Sequence, residues 1–592
     1  MLRRTVILIL RAVHCFALIS IGAAYAKAEG TGSLQFWTTH ALVKIRPDDP
    51  PPQRRAQSGE IWAARNEFES FQIMLRTTTG DLPGVDATAS DLRNAKGAVI
   101  PGATIAIYRE EYLKLRQRSS VEGNTGEWPD PLIPRVDRYR HERRNAFPFQ
   151  LKRGRTQPLW IEVYVPLDQP RGDYRGSITV SSEGDTKGII PFTVHVWAFA
   201  LPSTSSLQTA FGIGGIGILK QHRGRYTDDE ELRAITRVYA EAALMHRISV
   251  YGGSMVPPRI LRTGGGFHVD WGGYDDEVGP FLDGTVFGPG HPLPGARATS
   301  IDLRKSGSAD SGEDRIRYLR EWVSHFKKRG WLGRLYNYLL DEPEPENFPK
   351  VTDGGTLAHR ASPELKNLVT TSFSEQLAPV ADIWVPLINC FERKPGFPDF
   401  CSRPVSREAY AGELERGKRL WWYQSCASHG CSAATAEYFR GWPSYAIDAP
   451  SVSNRIMEWL TWKYRISGEL YYNMTESYEL QRDPWQDFYL HGGNGDGSLF
   501  YPGRPDRIGG SRDIPIESIR LKLIRDGLED YEYLTLLAAH GFRKAADDEV
   551  NRLISNTYSW KNSPELLYAI RQEMGRKLES LGRLRPKDSP TM

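Results

Sequence analysis

Cysteine is scarce in this chain: five in 592 residues. Cys15 falls in an apolar leader, which leaves Cys390, Cys401, Cys426 and Cys431. None makes the short Cys-x-x-Cys spacing of a structural zinc site, so the spacing argues against a metal. An even set in an exported protein reads instead as disulfides, with Cys390–Cys401 and Cys426–Cys431 as the neighbouring pairs and other pairings open. An excess of charge is also lacking. The formal net charge is +4, and it falls to +1 when Arg3, Arg4 and Arg11 leave with the leader. No basic face is concentrated enough to call for nucleic acid or an anionic membrane. His-Glu-x-x-His, P-loop and Gly-x-Ser-x-Gly motifs are absent, which removes the commonest metalloprotease, nucleotide and serine-hydrolase readings. Gly212–Gly217 fits G-x-G-x-x-G, but Ile218–Arg225 is short and basic where a dinucleotide fold needs its helix, so no cofactor is expected. His491–Gly497 resembles a calcium loop only superficially. Counting from Gly492, the twelfth position is Gly503 where a bidentate Glu is required. A glycine-rich turn that presents Asp496 to a ligand is the better reading.

Long apolar runs are limited to the start. Arg3 and Arg4 precede Thr5–Ile21, and Ala24-Tyr25-Ala26 follows, the pattern of a cleavable secretion signal over residues 1–26. Arg11 interrupts the run and disfavours a membrane span, and no second stretch reaches spanning length. What remains has the composition of a folded globular protein, 40% hydrophobic and 25% charged, with Gly 55, Pro 39 and Trp 16. Its length calls for more than one core. From 33 to 202, alternating runs such as Leu159–Val165 lie between turns, the pattern of a β-sandwich. From 203 to 515, strand-like runs alternate with amphipathic helices. The strands are Leu207–Gly212, Ser249–Val256, Leu335–Leu340, Leu368–Phe373, Ala381–Ile388, Arg419–Gln424 and Glu469–Tyr472, with Ser498–Tyr501 as a weak eighth. This βα repetition predicts a central (β/α)8 TIM-like barrel, with residues 257–311 as a long loop on its site-bearing face. Residues 516–583 form a C-terminal helical segment, in which Ile519, Leu523, Ile524 and Leu528 make one apolar stripe. A disordered tail is expected over 584–592. The fold class is thus multidomain, β followed by α/β.

The chemistry is placed at Leu335–Pro345, an aromatic strand that delivers Asp341 and Glu342 and is stopped by Pro343. Neighbours on an extended chain point to opposite faces, so both acids reach one pocket only where the strand ends. Trp384, Trp421, Trp422, Tyr423, Tyr471 and Tyr472 lie on or beside other strands, and aromatic faces suit the C–H face of a sugar. Two acids in an aromatic cleft are the equipment of glycoside hydrolysis. Their adjacency suits a reaction in which the sugar's own acetamido oxygen attacks.

Four segments carry a resemblance: Ala64-Arg65-Asn66-Glu67-Phe68-Glu69-Ser70-Phe71-Gln72, Tyr336-Asn337-Tyr338 leading into Asp341-Glu342-Pro343, Trp421-Trp422-Tyr423, and Arg525–Leu534. In order and spread they resemble glycoside hydrolase family 123 and the related domain-of-unknown-function 4091 proteins over most of the mature chain. The resemblance implies a β-sandwich, a (β/α)8 barrel and a retaining β-N-acetylgalactosaminidase without cofactor. It places Asp341 as the group that orients the acetamido and Glu342 as general acid and base, with Tyr423 on the acetamido oxygen. Tyr338, Trp384, Trp422 and Asp496 complete the expected glycan-binding set. Glycosidase action on a non-acetamido glycan and carbohydrate binding without turnover stay open.

Overall fold

The structure is a computed structural model. It describes residues 34–252, 257–264, 266–305, 309, 312–401, 406–429 and 436–583. The expected signal peptide, the tail and Cys431 lie outside the described residues.

Two seven-stranded sheets form, the second wholly from the N-terminal part of the chain and the first with five of its strands from there. The first runs Leu34–His40, Glu67–Thr77, Thr156–Val165, Ala106–Leu115, Gly126–Pro134, and the second is centred on Gly172–Ser182 and Asp185–Ala200. Strand alternation sends Leu159, Ile161, Val163 and Val165 of the first sheet, and Ile178, Val180, Ile190 and Val194 of the second, into one shared apolar cluster. Each such side chain contributes about 1.5–3 kcal/mol on burial. The opposite face of Thr156–Val165 is buried too. There Glu162 meets Arg525, Lys522 at 2.9 Å and Arg138, all brought by other segments.

The barrel has eight parallel strands, in order Val250–Gly252, Gln208–Ile213, Gly468–Tyr471, Arg419–Tyr423, Ile383–Trp384, Lys366–Val369, Leu335–Tyr338 and Ile301–Asp302. The two end strands are not laddered together, but Gly252 N–H donates to Asp302 Oδ1 at 3.3 Å, so the ring is nearly closed. Seven of the expected strands are present within a few residues. The eighth is not Ser498–Tyr501. Phe500–Gly503 instead pairs antiparallel with Ile514–Ser518, which pairs with Gly126–Pro134, so this hairpin belongs to the first sheet. Ile301–Asp302 closes the count, inside the stretch read as a loop; that stretch also holds the hairpin Arg259–Thr263/Gly266–Asp270 and the helix Gly272–Asp283.

The glycine run also differs from expectation, because Gly215–Arg223 is a helix directly after a strand. A Cβ on Gly214 would stand 1.7 Å from Glu479 Oε1. The glycines therefore admit a carboxylate of the chain itself where a nucleotide phosphate would otherwise approach.

Three C-terminal helices follow, Ile519–Ala539, Arg543–Leu553 and Pro564–Arg583. The first is capped by Ser518, whose Oγ accepts from Leu521 N–H at 3.1 Å. Its predicted stripe is buried, and so are Arg525, Asp526, Glu529 and Asp530 on its other sides. Those charges are paired rather than solvated. Arg455 meets Asp530 at 2.7 Å, Arg247 meets Glu529 at 3.2 Å, and Arg571 joins Asp530 at 2.8 Å with Glu67 and Glu69.

Candidate active site

The strand Leu335–Tyr338 ends with Leu339 N–H still bonded to Leu368 O at 3.0 Å, after which the ladder stops. Asp341 and Glu342 follow at once, exposed at the C-terminal end of the barrel, before the helix Phe348–Ala361 begins. This is the end where barrels carry their sites. Glu342 has φ 39, a left-handed conformation uncommon for a residue with a side chain, and it turns the second acid out of the strand's alternation. The two carboxylates can thereby serve one site.

Each acid has its own anchor. Asp341 Oδ1 accepts from Tyr338 O–H at 2.6 Å and from Thr370 Oγ1 at 3.0 Å. The same Thr370 Oγ1 accepts from Glu342 N–H at 2.7 Å, so one buried hydroxyl at the end of the neighbouring strand ties both acids. Glu342 Oε1 accepts from Tyr423 O–H, at the end of the Arg419–Tyr423 strand. Burial first, then the Glu342 carboxylate, pushes the Tyr423 phenol well above its ordinary range. Burial, the neighbouring Tyr251 and Asp341 do the same to Tyr338. Both phenols therefore stay protonated and keep donating. Among the described residues no hydrogen bond reaches Asp341 Oδ2 or Glu342 Oε2, which leaves one oxygen of each acid for a ligand.

A cleft of about 430 Å³ opens at Glu342, lined among others by Thr370, Ser372, Phe373, Phe400 and Tyr423, while Asp341 stands outside its lining. The Cys390–Cys401 disulfide, the pairing expected from sequence, forms part of its wall, with Cα atoms 5.4 Å apart. Cys426 is also disulfide-bonded. Hydroxyls and rings together make a surface fit for a polyol with an apolar face.

The other expected residues lie elsewhere. Trp421 and Tyr423 point into the barrel with Tyr336, whereas Trp422 and Trp384 point outward into the helix layer. Trp422 donates to Thr461 Oγ1 at 2.9 Å, and Trp384 packs on Phe373 and Tyr410. Neither lines the cleft, because alternation sends every second residue of a barrel strand away from the interior. Asp496 is buried beneath the tyrosine pair. Its oxygens accept from Cys426 N–H at 3.2 Å, Ala427 N–H at 3.0 Å and Tyr472 O–H at 3.0 Å, and burial raises its pKa. It braces the start of a short helix and the Tyr471–Tyr472 pair instead of facing the cleft.

Thr370 was not among the expected residues. Its signal is its place: the first residue after a barrel strand, opening the hydroxyl run Thr370-Thr371-Ser372. Among the described residues no group of three or more His, Cys, Asp or Glu is placed to hold a metal ion, and no helix is long and apolar enough to cross a membrane.

Residues 304–537 match the family described as Glycoside hydrolase 123, catalytic domain, and residues 43–182 match the Glycoside hydrolase 123 N-terminal domain. The solved structure of a family 123 glycoside hydrolase from Clostridium perfringens, described in terms of glycolipid glycan hydrolysis, superposes with TM-score 0.65 at 14% identity, covering 93% of this chain and 99% of that one. A Bacteroides ovatus GH5 xyloglucanase aligns with TM-score 0.28 at 10% identity over 79% of this chain and 98% of its own, too distant to carry an argument. No curated protein matches the sequence.

Proposed function

The chain belongs to glycoside hydrolase family 123, and on that premise we propose that it cleaves β-linked N-acetylhexosamine, preferably N-acetylgalactosamine, with the substrate's acetamido group as nucleophile. The observation that carries this reading is the adjacency of Asp341 and Glu342, each held by a different hydroxyl. A glycosidase that supplies its own nucleophile sets two carboxyls about 5 Å apart on opposite sides of the scissile bond. Consecutive residues at one strand end approach from one side, so the attacking atom comes from the sugar. In this reading Asp341 accepts the acetamido N–H, aims the carbonyl oxygen at the anomeric carbon and offsets the positive charge of the oxazolinium. Glu342 gives its proton to the departing oxygen as the C–O bond breaks. Water then attacks the anomeric carbon, Glu342 takes its proton, and the acetamido oxygen leaves. Tyr423 serves as the holder of Glu342, since its O–H is directed there.

The two sheets would then form a sandwich over 33–202, completed by Phe500–Gly503 and Ile514–Ser518, that braces a catalytic barrel within 203–515, with helices over 516–583 locking the two. Export belongs to the same proposal, supported by the leader pattern of residues 1–26 and by a disulfide that an oxidising compartment would maintain. The Clostridium perfringens enzyme's description makes glycolipid glycans the first natural substrates to try.

A panel of aryl β-glycosides tests the reading. The N-acetylgalactosaminide should turn over fastest. Glu342→Gln should lose turnover on natural glycans while sparing activated aryl leaving groups, and Asp341→Asn should impair both. An Asp341→Asn enzyme with unchanged rates would remove the assisted mechanism, and equal turnover of unsubstituted β-galactoside would remove the acetamido preference.

A further inference from the structure

The cleft of about 430 Å³ is not shared equally by the two acids. Glu342 lines it and Asp341 does not, although the two are neighbours in sequence. Asp341 is bonded instead to Tyr338, whose ring lies 6.1 Å from that of Tyr251, and neither tyrosine lines the cleft. The acids thus mark two compartments.

Chemistry assigns an occupant to each. A general acid gives its proton to the glycosidic oxygen, and that oxygen departs on the next residue of the glycan as its bond to the anomeric carbon breaks. The departing residue therefore lies on the Glu342 side. The sugar being cut lies on the Asp341 side, where its acetamido group is held. This assignment rests on the roles proposed above for the two acids, and it makes the cleft the seat of the leaving group.

The wall of the cleft says what that group is. Phe400 is 41% exposed, its ring stacks on Tyr438 with centroids 5.5 Å apart and planes at 20°, and the next residue, Cys401, is tied to Cys390. An aromatic ring fixed in this way and still open on the cleft is a platform for the C–H face of a pyranose. Thr371 and Ser374 add half-buried hydroxyls, and the exposed Glu344 adds a carboxylate that accepts from sugar hydroxyls. Glu342 must carry its proton in order to act, so Glu344 is the charge that the described lining residues present to the reacting glycan. A carboxylate on the leaving residue would be repelled there. We propose that the cleft binds the leaving residue as a neutral pyranose, stacked on Phe400 and selected against uronic acids by Glu344.

Two disaccharides that differ at one carbon test this: N-acetylgalactosamine β-linked to methyl β-galactoside, and the same sugar linked through the same hydroxyl to methyl β-galacturonide. The parent should favour the galactoside by about fivefold or more in kcat/KM, the scale of two like charges a few ångströms apart in a solvated cleft. Glu344→Gln should bring the two substrates within about twofold of each other. Phe400→Ala should lower kcat/KM on the galactoside by about fivefold or more, chiefly through KM, and Phe400→Trp should restore it to within about twofold. The inhibition constant of free N-acetylgalactosamine, which reads the Asp341 side, should move by less than about twofold in each variant. Equal cutting of both disaccharides by the parent, or a preference that survives Glu344→Gln, would overturn the charge selection. Unchanged galactoside kinetics in Phe400→Ala, or an equal loss in the binding of free N-acetylgalactosamine, would overturn the placement of the leaving residue. A parent that cuts neither disaccharide nor any aryl β-N-acetylhexosaminide would fail at the hydrolytic reading itself and take this inference with it.

Discussion

Replacing Thr370 by valine removes one hydroxyl and almost no volume, and it isolates the element that joins the two acids. Thr370 Oγ1 donates to Asp341 at 3.0 Å and accepts from Glu342 N–H at 2.7 Å. A hydrogen bond to a charged group contributes about 1.5–3 kcal/mol and a neutral one about 0.5–1.5 kcal/mol. Asp341 is exposed and keeps its Tyr338 bond at 2.6 Å, so the lower part of that range applies to it. A loss of about 1.5–3 kcal/mol in transition-state stabilisation corresponds to roughly a 10- to 150-fold fall in kcat/KM. Because the hydroxyl is spent on positioning the two acids, the fall should appear in kcat, with KM within about twofold. Thr370→Ser keeps the hydroxyl and should stay within about threefold of the parent. Steady-state kinetics on the best aryl glycoside, with melting temperature as the control for folding, gives the answer. A folded Thr370→Val enzyme with parental kcat would refute the hub.

Two further outcomes follow from the buried charges. Arg571→Met leaves Glu67, Glu69 and Asp530 without their shared cation and should cost about 3–5 kcal/mol, read as a large drop in melting temperature that Glu69→Gln partly restores; an unchanged melting temperature would show that the network is not holding the helix. Burial pushes Glu469 up to about 7, while Tyr445 O–H donates to it. The folded chain thus keeps a proton that the unfolded chain has already lost, and stability falls as pH rises from the ordinary glutamate value towards 7. Glu469→Gln should flatten that slope in urea denaturation series, and an identical slope would contradict the assignment.

The barrel was legible because its strands announce themselves as apolar runs between amphipathic helices, and the acids because a proline stops their strand. Ile301–Asp302 was not, since two residues inside a Gly- and Pro-rich stretch show no period. Trp384 and Trp422 were read towards the glycan because a barrel strand is apolar on both faces, so periodicity does not say which face is the interior. Asp496 likewise sits in a turn whose composition is open to a ligand, while its actual partners come from segments far away in sequence. The segments Ala64–Gln72 and Arg525–Leu534 were informative in a different way. Their residues meet across the molecule, with Phe68 N–H on Glu529 at 3.2 Å and Tyr533 O–H on Glu67 at 2.9 Å. Long-range pairing of buried charges leaves no local pattern.

The return of Phe500–Gly503 and Ile514–Ser518 to the first sheet constrains how the chain can be made. On its side away from Ala106–Leu115, the strand Gly126–Pro134 pairs through Leu132 and Pro131 with Glu517 and Ser518, on the far side of the barrel in sequence. A ribosome therefore releases the whole barrel before that sheet can acquire its last two strands. Until then Gly126–Pro134 is an open β-edge available for wrong pairing. Synthesis from the N-terminus cannot finish the first layer first, and a gene cut between the two halves would leave each with an unfinished surface.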